Sequence, residues 1–199
     1  MATPLYRADE LQALLDQNPS TPTPRSEIPR AAVAAIFRAG QADAELLFIQ
    51  RATKANDPWS GQMAFPGGRS ESHDTTATAT AERETLEEVG LDLSPAHYLG
   101  DLCELDGGRA TNRRVDVTAH AYWLPGKRPQ LTANHEVADM VWVGLDMLTD
   151  TNRYIDYLYP PAEMTFPGIQ LDKPEQVVWG LTLRFLTDLF ERLERPFIR

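Results

Sequence analysis

The sequence predicts an α/β fold, a mixed sandwich in which a sheet is flanked by helices. Segments with strand composition occur both before and after a central helical segment. That central segment is bounded by turn residues, the pair Gly67-Gly68 before it and Gly90 after it. A second helical pattern, at about 174–193, closes the chain. Strands around one helix and a closing helix are typical of a sheet that is covered by helices.

The elements follow in chain order. Residues 5–17 have a helical pattern with leucines on one side, and the Pro-rich stretch 20–25 reads as a linker or extended arm. We therefore expect a helix and arm over 1–30 and the main domain over 31–199. Strands are predicted at 31–37, 45–51, 98–105, 115–124 and 137–143, with a short helix at 145–151. The expected buried stripe of the closing helix is Val177, Val178, Leu181, Phe185 and Leu189.

Composition limits the classes of function. The 199 residues hold 19 Lys and Arg against 29 Asp and Glu, a formal charge of −10. An acidic chain is expected to bind neither nucleic acid nor an anionic membrane. Cys103 is the single cysteine, so no internal disulfide forms. With no signal peptide or long apolar run visible, the cytoplasm is the expected location.

The central helix carries the chemistry. Asp74 is expected to cap its start, and Gly90 to end it in the left-handed conformation. At 3.6 residues per turn, Glu84, Glu87 and Glu88 share an arc of roughly 100°, with Ala79, Leu86 and Val89 on the opposite face. Like charges at this spacing repel, and a hard divalent cation relieves that repulsion. Arg83 can orient one carboxylate, although a solvated helix rich in glutamate is the alternative.

These residues resemble the signature box of the Nudix hydrolases: Gly, five residues, Glu, seven residues, then Arg-Glu-apolar-any-Glu-Glu-any-Gly-apolar. The second half runs from Arg83 to Leu91 and matches closely, with Thr85 in an apolar position. The first half differs. Asp74 stands where the pattern has Glu, with five residues between it and Gly68, and eight residues separate Asp74 from Arg83.

The aspartate and the longer spacing resemble the coenzyme A diphosphatase branch of that superfamily. Residues 47–52 and 60–68 are similar to the branch's Leu-Leu-x-x-Arg-Ser lead and its Gly-x-x-x-Phe-Pro-Gly-Gly stretch. Residues 178–182 resemble the Trp-Gly-Leu-Thr that opens its C-terminal helix. The chain departs from the branch at residues 56–59, Asn-Asp-Pro-Trp, where an Arg-x-His region is expected.

The resemblance implies a Nudix-type fold, a mixed-sheet α/β/α sandwich, and a site that holds one to three Mg²⁺ or Mn²⁺ ions. The general base would be Glu87 or, from a later segment, Glu136, although a solvated turn residue is an equal reading of Glu136. The residues implied to bind metal are Glu84, Glu87 and Glu88, with the Gly67 carbonyl, and Arg83 is implied to support catalysis. The four histidines show no ligand spacing, and none is assigned to metal.

Four residues are candidates for binding substrate. Arg51 ends a predicted strand and can pair with a phosphate or with a local acid. Trp59 can stack on an adenine or belong to the core. Arg113 and Arg114 lie in an arginine-rich stretch that can bind the 3′-phosphate of coenzyme A, or simply be a solvated strand entry.

The expected function is metal-dependent hydrolysis of a diphosphate bond in a nucleoside diphosphate derivative. Coenzyme A or acyl-coenzyme A is the leading substrate, cleaved to 3′,5′-ADP and 4′-phosphopantetheine or its acyl form. ADP-ribose or a nucleotide sugar is the alternative, and an inactive sensor of such ligands is the alternative of a different class. Homodimers are common in the superfamily, so a homodimer is one expected assembly, but no residue decides it.

Overall fold

The computed structural model describes residues 6–17, 30–55, 57, 59–107, 115–159, 163–195 and 197. Within these ranges there are four α-helices, α1 (Ala8–Gln17), α2 (Ala77–Val89), α3 (Leu145–Leu148) and α4 (Gly180–Arg192), and a 3-10 turn at Thr151–Arg153. The described strands are β1 (Arg30–Ala39), β2 (Ala44–Arg51), β3 (Met63–Ala64), β4 (Gly67–Arg69), β5 (His97–Asp106), β6 (Asp116–Leu124), β7 (Val137–Gly144), β8 (Tyr154–Tyr159), β9 (Met164–Gln170) and β10 (Val177–Trp179).

Seven strands form a mixed sheet. Five of them follow the order β3-β2-β1-β6-β5, while β4 pairs with β1 and β7 pairs with β2. The pairing of β1 with β6 is parallel and the other pairings are antiparallel. Strands β10, β9 and β8 make a separate antiparallel sheet. The predicted α/β fold with a mixed sheet is confirmed.

Helices cover both faces of the large sheet. The alternation of β1 shows this, because Phe37 points into a core cluster that also contains Leu11 of α1 and Phe185 of α4. Its neighbour Ile36 points into a second cluster, which contains Val89 of α2. Strand β1 is therefore buried on both sides, as the central strand of an α/β/α sandwich must be.

Helix α2 begins later than predicted. Thr76, not Asp74, is the N-cap, and its hydroxyl accepts a hydrogen bond from Ala79 N–H at 3.0 Å. The carboxylate of Asp74 is engaged by other donors and is not available to cap. The predicted stop is confirmed, since Gly90 has a φ of +67° and its N–H donates to Leu86 O.

The buried face of α2 also differs from the prediction. Leu86, expected on the apolar side, is 53% exposed. Val89 is fully buried as expected, and Glu88 lies beside it in the buried stripe at 1% exposure. The helix is rotated so that one of its acidic residues faces the protein, where the β4 backbone supplies a hydrogen-bond donor to it.

The closing helix is shorter than predicted. Residues 177–179 form β10, paired with β9 so that Val178 lies opposite Ile169, and α4 starts only at Gly180. Two valines and a tryptophan favour a strand, and the φ of +59° at Gly180 separates strand from helix. Phe185 and Leu189 are buried on α4 as expected. The hairpin of β8 and β9 was not predicted.

No described helix is long and apolar enough to cross a membrane.

The two ends of the described chain meet at a buried ion pair. Arg195 Nη2 lies 2.7 Å from Asp43 Oδ2, with side chains 6% and 1% exposed. The other Asp43 oxygen accepts the backbone N–H groups of Tyr6 and Ala44. The Tyr6 hydroxyl donates to Leu193 O, and the Arg195 guanidinium lies over the Tyr6 ring. These contacts fasten the segment before α1 to the segment after α4.

We predict that Asp43→Ala lowers the free energy of unfolding by about 3 to 5 kcal/mol, because it leaves the Arg195 charge buried without its partner. Chemical denaturation measures this. The matched control is Asp9→Ala, which breaks the exposed pair of Arg7 and Asp9 and is expected to cost less than about 1 kcal/mol. Equal effects of the two substitutions would contradict the prediction.

Candidate functional site

The elements enclose a cavity of about 480 Å³ beside β4 and the middle of α2. One part of its wall is apolar, formed by Val33, Met63, Phe65, Val117, Leu181 and Phe185. The other part is charged and contains Arg51, Lys54, Asp57, Arg69, Glu84, Glu88 and Glu136. A cavity lined by both apolar and charged residues suits a ligand that carries both kinds of group.

Gly67 and Gly68, the first two residues of β4, are closely surrounded, and the backbone neighbours and positive φ of Gly67 require glycine there. A Cβ on Gly67 would lie 2.3 Å from Ala32 O, and the φ of Gly67 is +150°. A Cβ on Gly68 would lie 2.5 Å from the carboxyl carbon of Glu84. The absence of side chains here lets β4 pack on β1 and lets the Glu84 carboxylate approach the backbone.

Two carboxylates of α2 face the cavity from the buried side. Glu88 accepts a hydrogen bond from Gly67 N–H at 2.9 Å. Burial raises the pKa of Glu88 to about 7, although the Gly67 hydrogen bond and the charge of Arg51 oppose that rise. Burial also raises the pKa of Glu84, against the opposing effect of Arg83. The charge of Glu84 adds to the rise at Glu88, and the charges of Glu87 and Glu136 add to the rise at Glu84.

Arg83 holds the acidic groups around it in place. Its Nε and Nη2 donate to the two oxygens of Asp74 at 3.0 and 2.9 Å, and Nη2 also donates to Arg69 O. Its Nη1 donates to Glu84 at 3.0 Å and to Glu87 at 3.2 Å. Hydrogen bonds from Arg83 hold the pKa of Asp74 well below its usual range. Asp74 thus anchors the guanidinium, although it lies one residue farther from Arg83 than the box pattern has.

Glu87 lies outside the cavity wall, with its side chain 55% exposed. In the described part of the chain, no three Asp, Glu, His or Cys side chains converge on one point as a preformed metal cluster. Glu84 and Glu88 do line one wall together. Their carboxylates and the nearby backbone supply oxygen donors, which suit a hard divalent cation. A cation between them would also relieve the repulsion that raises their pKa values.

The predicted base from the later segment, Glu136, also lines the cavity. Glu136 forms a close ion pair with Lys54, and Asn134 Oδ1 accepts the Glu136 backbone N–H at 2.7 Å. The hydrogen bond from Lys54 holds the pKa of Glu136 below its usual value. Arg51 lines the same wall, with Nη2 donating to Asp57 Oδ2 at 3.0 Å. Of the two partners considered for Arg51, the local acid is the one in contact.

The remaining candidates are placed as follows. Trp59 is half-buried, packs against the larger core cluster and also lines the cavity. Arg113 and Arg114 lie outside the described residues, but Val115, which follows them, lines the cavity and accepts a hydrogen bond from Gly107 N–H. Burial raises the pKa of the Cys103 thiol to about 12, which is unfavourable for a nucleophile.

Lys54 and Asp57 were missed by the sequence analysis. Both lie in the connection between β2 and β3. Lys54 pairs with Glu136, which is distant in the sequence, and Asp57 pairs with Arg51. Spacing along the chain gives no sign of the first pair, because 82 residues separate its members. The second pair was within reach, since Asp57 lies in the stretch that departs from the branch pattern and is only six residues from Arg51.

We predict that Glu88→Gln stabilises the metal-free protein at high pH. A pKa raised from 4.5 to about 7 means that the charged form is disfavoured in the folded state by roughly 3 kcal/mol. This cost is absent below pH 4.5, where Glu88 is protonated in both states, and complete above pH 7. Thermal unfolding with a chelator should therefore show the variant more stable at pH 8 and equal to wild type at pH 4. Equal stability at pH 8 would contradict the prediction.

Comparison with known proteins agrees with this architecture. Residues 28–160 match the NUDIX domain family. An uncharacterized protein of Schizosaccharomyces pombe is 39% identical over 127 residues, which are 63% of this chain and 34% of that protein. The uncharacterized Nudix hydrolase NudL of Yersinia pestis is 30% identical over 135 residues, or 67% of this chain and 65% of NudL.

This chain therefore spans about a third of the first relative and just under two thirds of the second. A MutT/nudix family protein from Enterococcus faecalis shares the fold, with a TM-score of 0.59 and 14% identity. That likeness covers 96% of this chain and 76% of the other. Because the family match spans more than half of the sequence, the chain belongs to the Nudix family of hydrolases.

Proposed function

We propose that this chain hydrolyses the diphosphate bond of a nucleoside diphosphate derivative, with coenzyme A or an acyl-coenzyme A as substrate. The products would be 3′,5′-ADP and 4′-phosphopantetheine or its acyl form. The observation that carries the proposal is the cavity wall on which Glu84 and Glu88, both with raised pKa values, lie beside the glycine turn. Two carboxylates kept together against their repulsion favour a site for divalent cations.

Glu84, Glu87 and Glu88 would hold Mg²⁺ or Mn²⁺, with the Gly67 carbonyl as a further oxygen ligand. Bound there, the cation would neutralise phosphoryl oxygens and lower the pKa of an attacking water. The Glu87 side chain is exposed and accepts a hydrogen bond from Arg83. When that bond breaks, the side chain can turn toward Glu84 and Glu88. Arg83, anchored by Asp74, would keep the carboxylates in position.

A proton acceptor is needed for the attacking water. Glu87 and Glu136 are the two candidates: Glu87 is exposed on α2 beside the cavity residues Glu84 and Glu88, and Glu136 lines the cavity. Arg51 would bind a substrate phosphate, since its guanidinium lies on the cavity wall, where it donates a hydrogen bond to Asp57.

The apolar wall favours coenzyme A over ADP-ribose or a nucleotide sugar. A sugar hydroxyl placed against Val117, Leu181 or Phe185 would lose its bonds to water without gaining a partner. The mostly apolar pantetheine arm carries no such penalty. Trp59 on the same cavity would stack on the adenine, and Arg113 and Arg114, which precede the cavity residue Val115, would bind the 3′-phosphate.

We predict that incubation with coenzyme A and Mg²⁺ or Mn²⁺ releases 3′,5′-ADP. Turnover of 3′-dephospho-coenzyme A, ADP-ribose and a nucleotide sugar is expected to be slower, and chromatography of the products measures all four. Glu88→Gln should reduce turnover about 100-fold or more, because it removes one metal-binding charge.

Glu82→Gln is the matched control, since it removes the same charge from the same helix. Glu82 accepts the Tyr122 hydroxyl at 3.1 Å and is not part of the cavity wall. Faster turnover of ADP-ribose would keep the diphosphatase chemistry and reject coenzyme A. Binding of these compounds without any turnover would favour the sensor.

We predict that one of Glu87→Gln and Glu136→Gln lowers kcat by about 10² to 10⁴-fold, as loss of a general base does. Glu136→Gln should keep its half-saturating metal concentration, because Glu136 is not among the proposed metal ligands, whereas Glu87→Gln, which also removes a proposed ligand, should raise it. Steady-state rates across pH and metal concentration separate the two. A variant whose rate recovers at high metal concentration has lost a ligand and not the base.

A further inference from the structure

Two ion pairs lie among the charged residues that line the cavity. Lys54 Nζ donates to Glu136 Oε1, and Arg51 donates to Asp57. The first pair joins two separate segments, the connection between β2 and β3 and the residues just before β7. Lys54 has no role in the proposed chemistry so far, although it is one of three basic residues among those that line the cavity.

We propose that Lys54 is a further substrate-binding residue, which leaves Glu136 and binds a phosphate oxygen of the diphosphate when the substrate enters. The inference rests on the proposed function. It adds Lys54 to the substrate-binding residues, and it adds a step in which Lys54 exchanges the Glu136 carboxylate for a phosphate.

The exposure of the pair makes such an exchange inexpensive. The side chains of Lys54 and Glu136 are 40% and 35% exposed, and ion pairs in contact with water contribute little to stability. The two adjacent negative charges of a diphosphate, against the single charge of Glu136, make it a strong competitor for an ammonium group. By contrast, the buried pair of Arg195 and Asp43 could not open without a large cost.

The backbone around the pair is fixed, so the exchange requires only a side-chain movement. Lys54 N–H donates to Ser60 Oγ at 2.7 Å, and Ala52 N–H donates to Glu136 O at 2.7 Å. The flexible four-carbon stem of lysine lets Nζ turn from Glu136 into the cavity while these bonds remain. The backbone positions of Lys54 and Glu136 therefore stay constant, and only the partner of the Lys54 ammonium group changes.

The exchange would also release Glu136. In the ion pair, the hydrogen bond from Lys54 lowers the pKa of Glu136 and makes it a poorer proton acceptor. When a phosphate takes the ammonium group, the carboxylate loses that partner at the moment when an acceptor is needed. Substrate binding and the availability of Glu136 are coupled in this way.

Isothermal titration calorimetry with α,β-methylene-ADP, a diphosphate that is not hydrolysed at its bridge, tests the proposal in the presence of Mg²⁺. Lys54→Gln is expected to raise the dissociation constant about tenfold, the loss of one charge-assisted hydrogen bond. Lys54→Arg, which keeps the cation, should stay within about threefold of wild type. With AMP, which lacks the second phosphate, Lys54→Gln should change the dissociation constant by about twofold or less.

Glu136→Gln distinguishes exchange from a structural brace. If Lys54 changes partner, removing the Glu136 charge frees the ammonium group, so the diphosphate binds more tightly. The gain in affinity from Glu136→Gln should be at least about threefold larger when Lys54 is present than in the Lys54→Gln background. Such a difference would show that the two residues are coupled. Simple removal of a repulsive charge would give the same gain in both backgrounds. A structural brace would weaken binding in both single variants.

Lys173→Gln is the matched control, because Lys173 forms a similarly exposed pair with Asp139 and does not line the cavity. It should bind the analogue as wild type does. Unchanged affinity in Lys54→Gln, or additive effects of the two cavity substitutions, would overturn the proposal and leave the proposed function intact. Failure of the correctly folded wild type to bind the analogue would reject both the proposed function and the role of Lys54.

Discussion

The constraint on which the site depends is the contact between the glycine turn and the buried acidic face of α2. Gly67 N–H donates to the Glu88 carboxylate, and Gly68 leaves room for Glu84. Burying a carboxylate costs several kcal/mol unless a donor or a cation compensates. One backbone hydrogen bond compensates only in part, as the raised pKa of Glu88 shows. The fold therefore keeps two acidic groups in a state that a bound cation stabilises.

Arg83 makes that arrangement possible without closing the site. A guanidinium has five N–H donors in a fixed plane, and here two are directed to Asp74, which keeps the plane oriented. The remaining charge is shared between Glu84 and Glu87. Because neither glutamate has Arg83 to itself, neither is neutralised, and both keep oxygens for a cation. Lysine could not replace this planar geometry.

Short-range patterns predicted much of this, and the errors have physical causes. The glutamate spacing, Gly90 and the strands around α2 were predictable, since each depends on local geometry. The predicted start of α2 was wrong because both Asp74 and Thr76 can cap a helix. Arg83 binds the Asp74 carboxylate, so Thr76 caps the helix instead. The strand β10 was read as helix because its pairing with β9 is a tertiary contact. The pair of Lys54 and Glu136 has no local signal at all.

The charge balance of the cavity explains how an acidic protein can attract an anionic ligand. Two basic groups on the wall, Arg51 and Lys54, are each paired with a carboxylate, Asp57 and Glu136. Four acidic lining residues, Asp57, Glu84, Glu88 and Glu136, outnumber three basic ones, Arg51, Lys54 and Arg69, so without cations the wall would not favour a diphosphate. In the proposed function, bound cations would reverse the sign of the field beside Glu84 and Glu88, and the phosphates could then compete for the basic groups. Affinity for a diphosphate would therefore depend on both events.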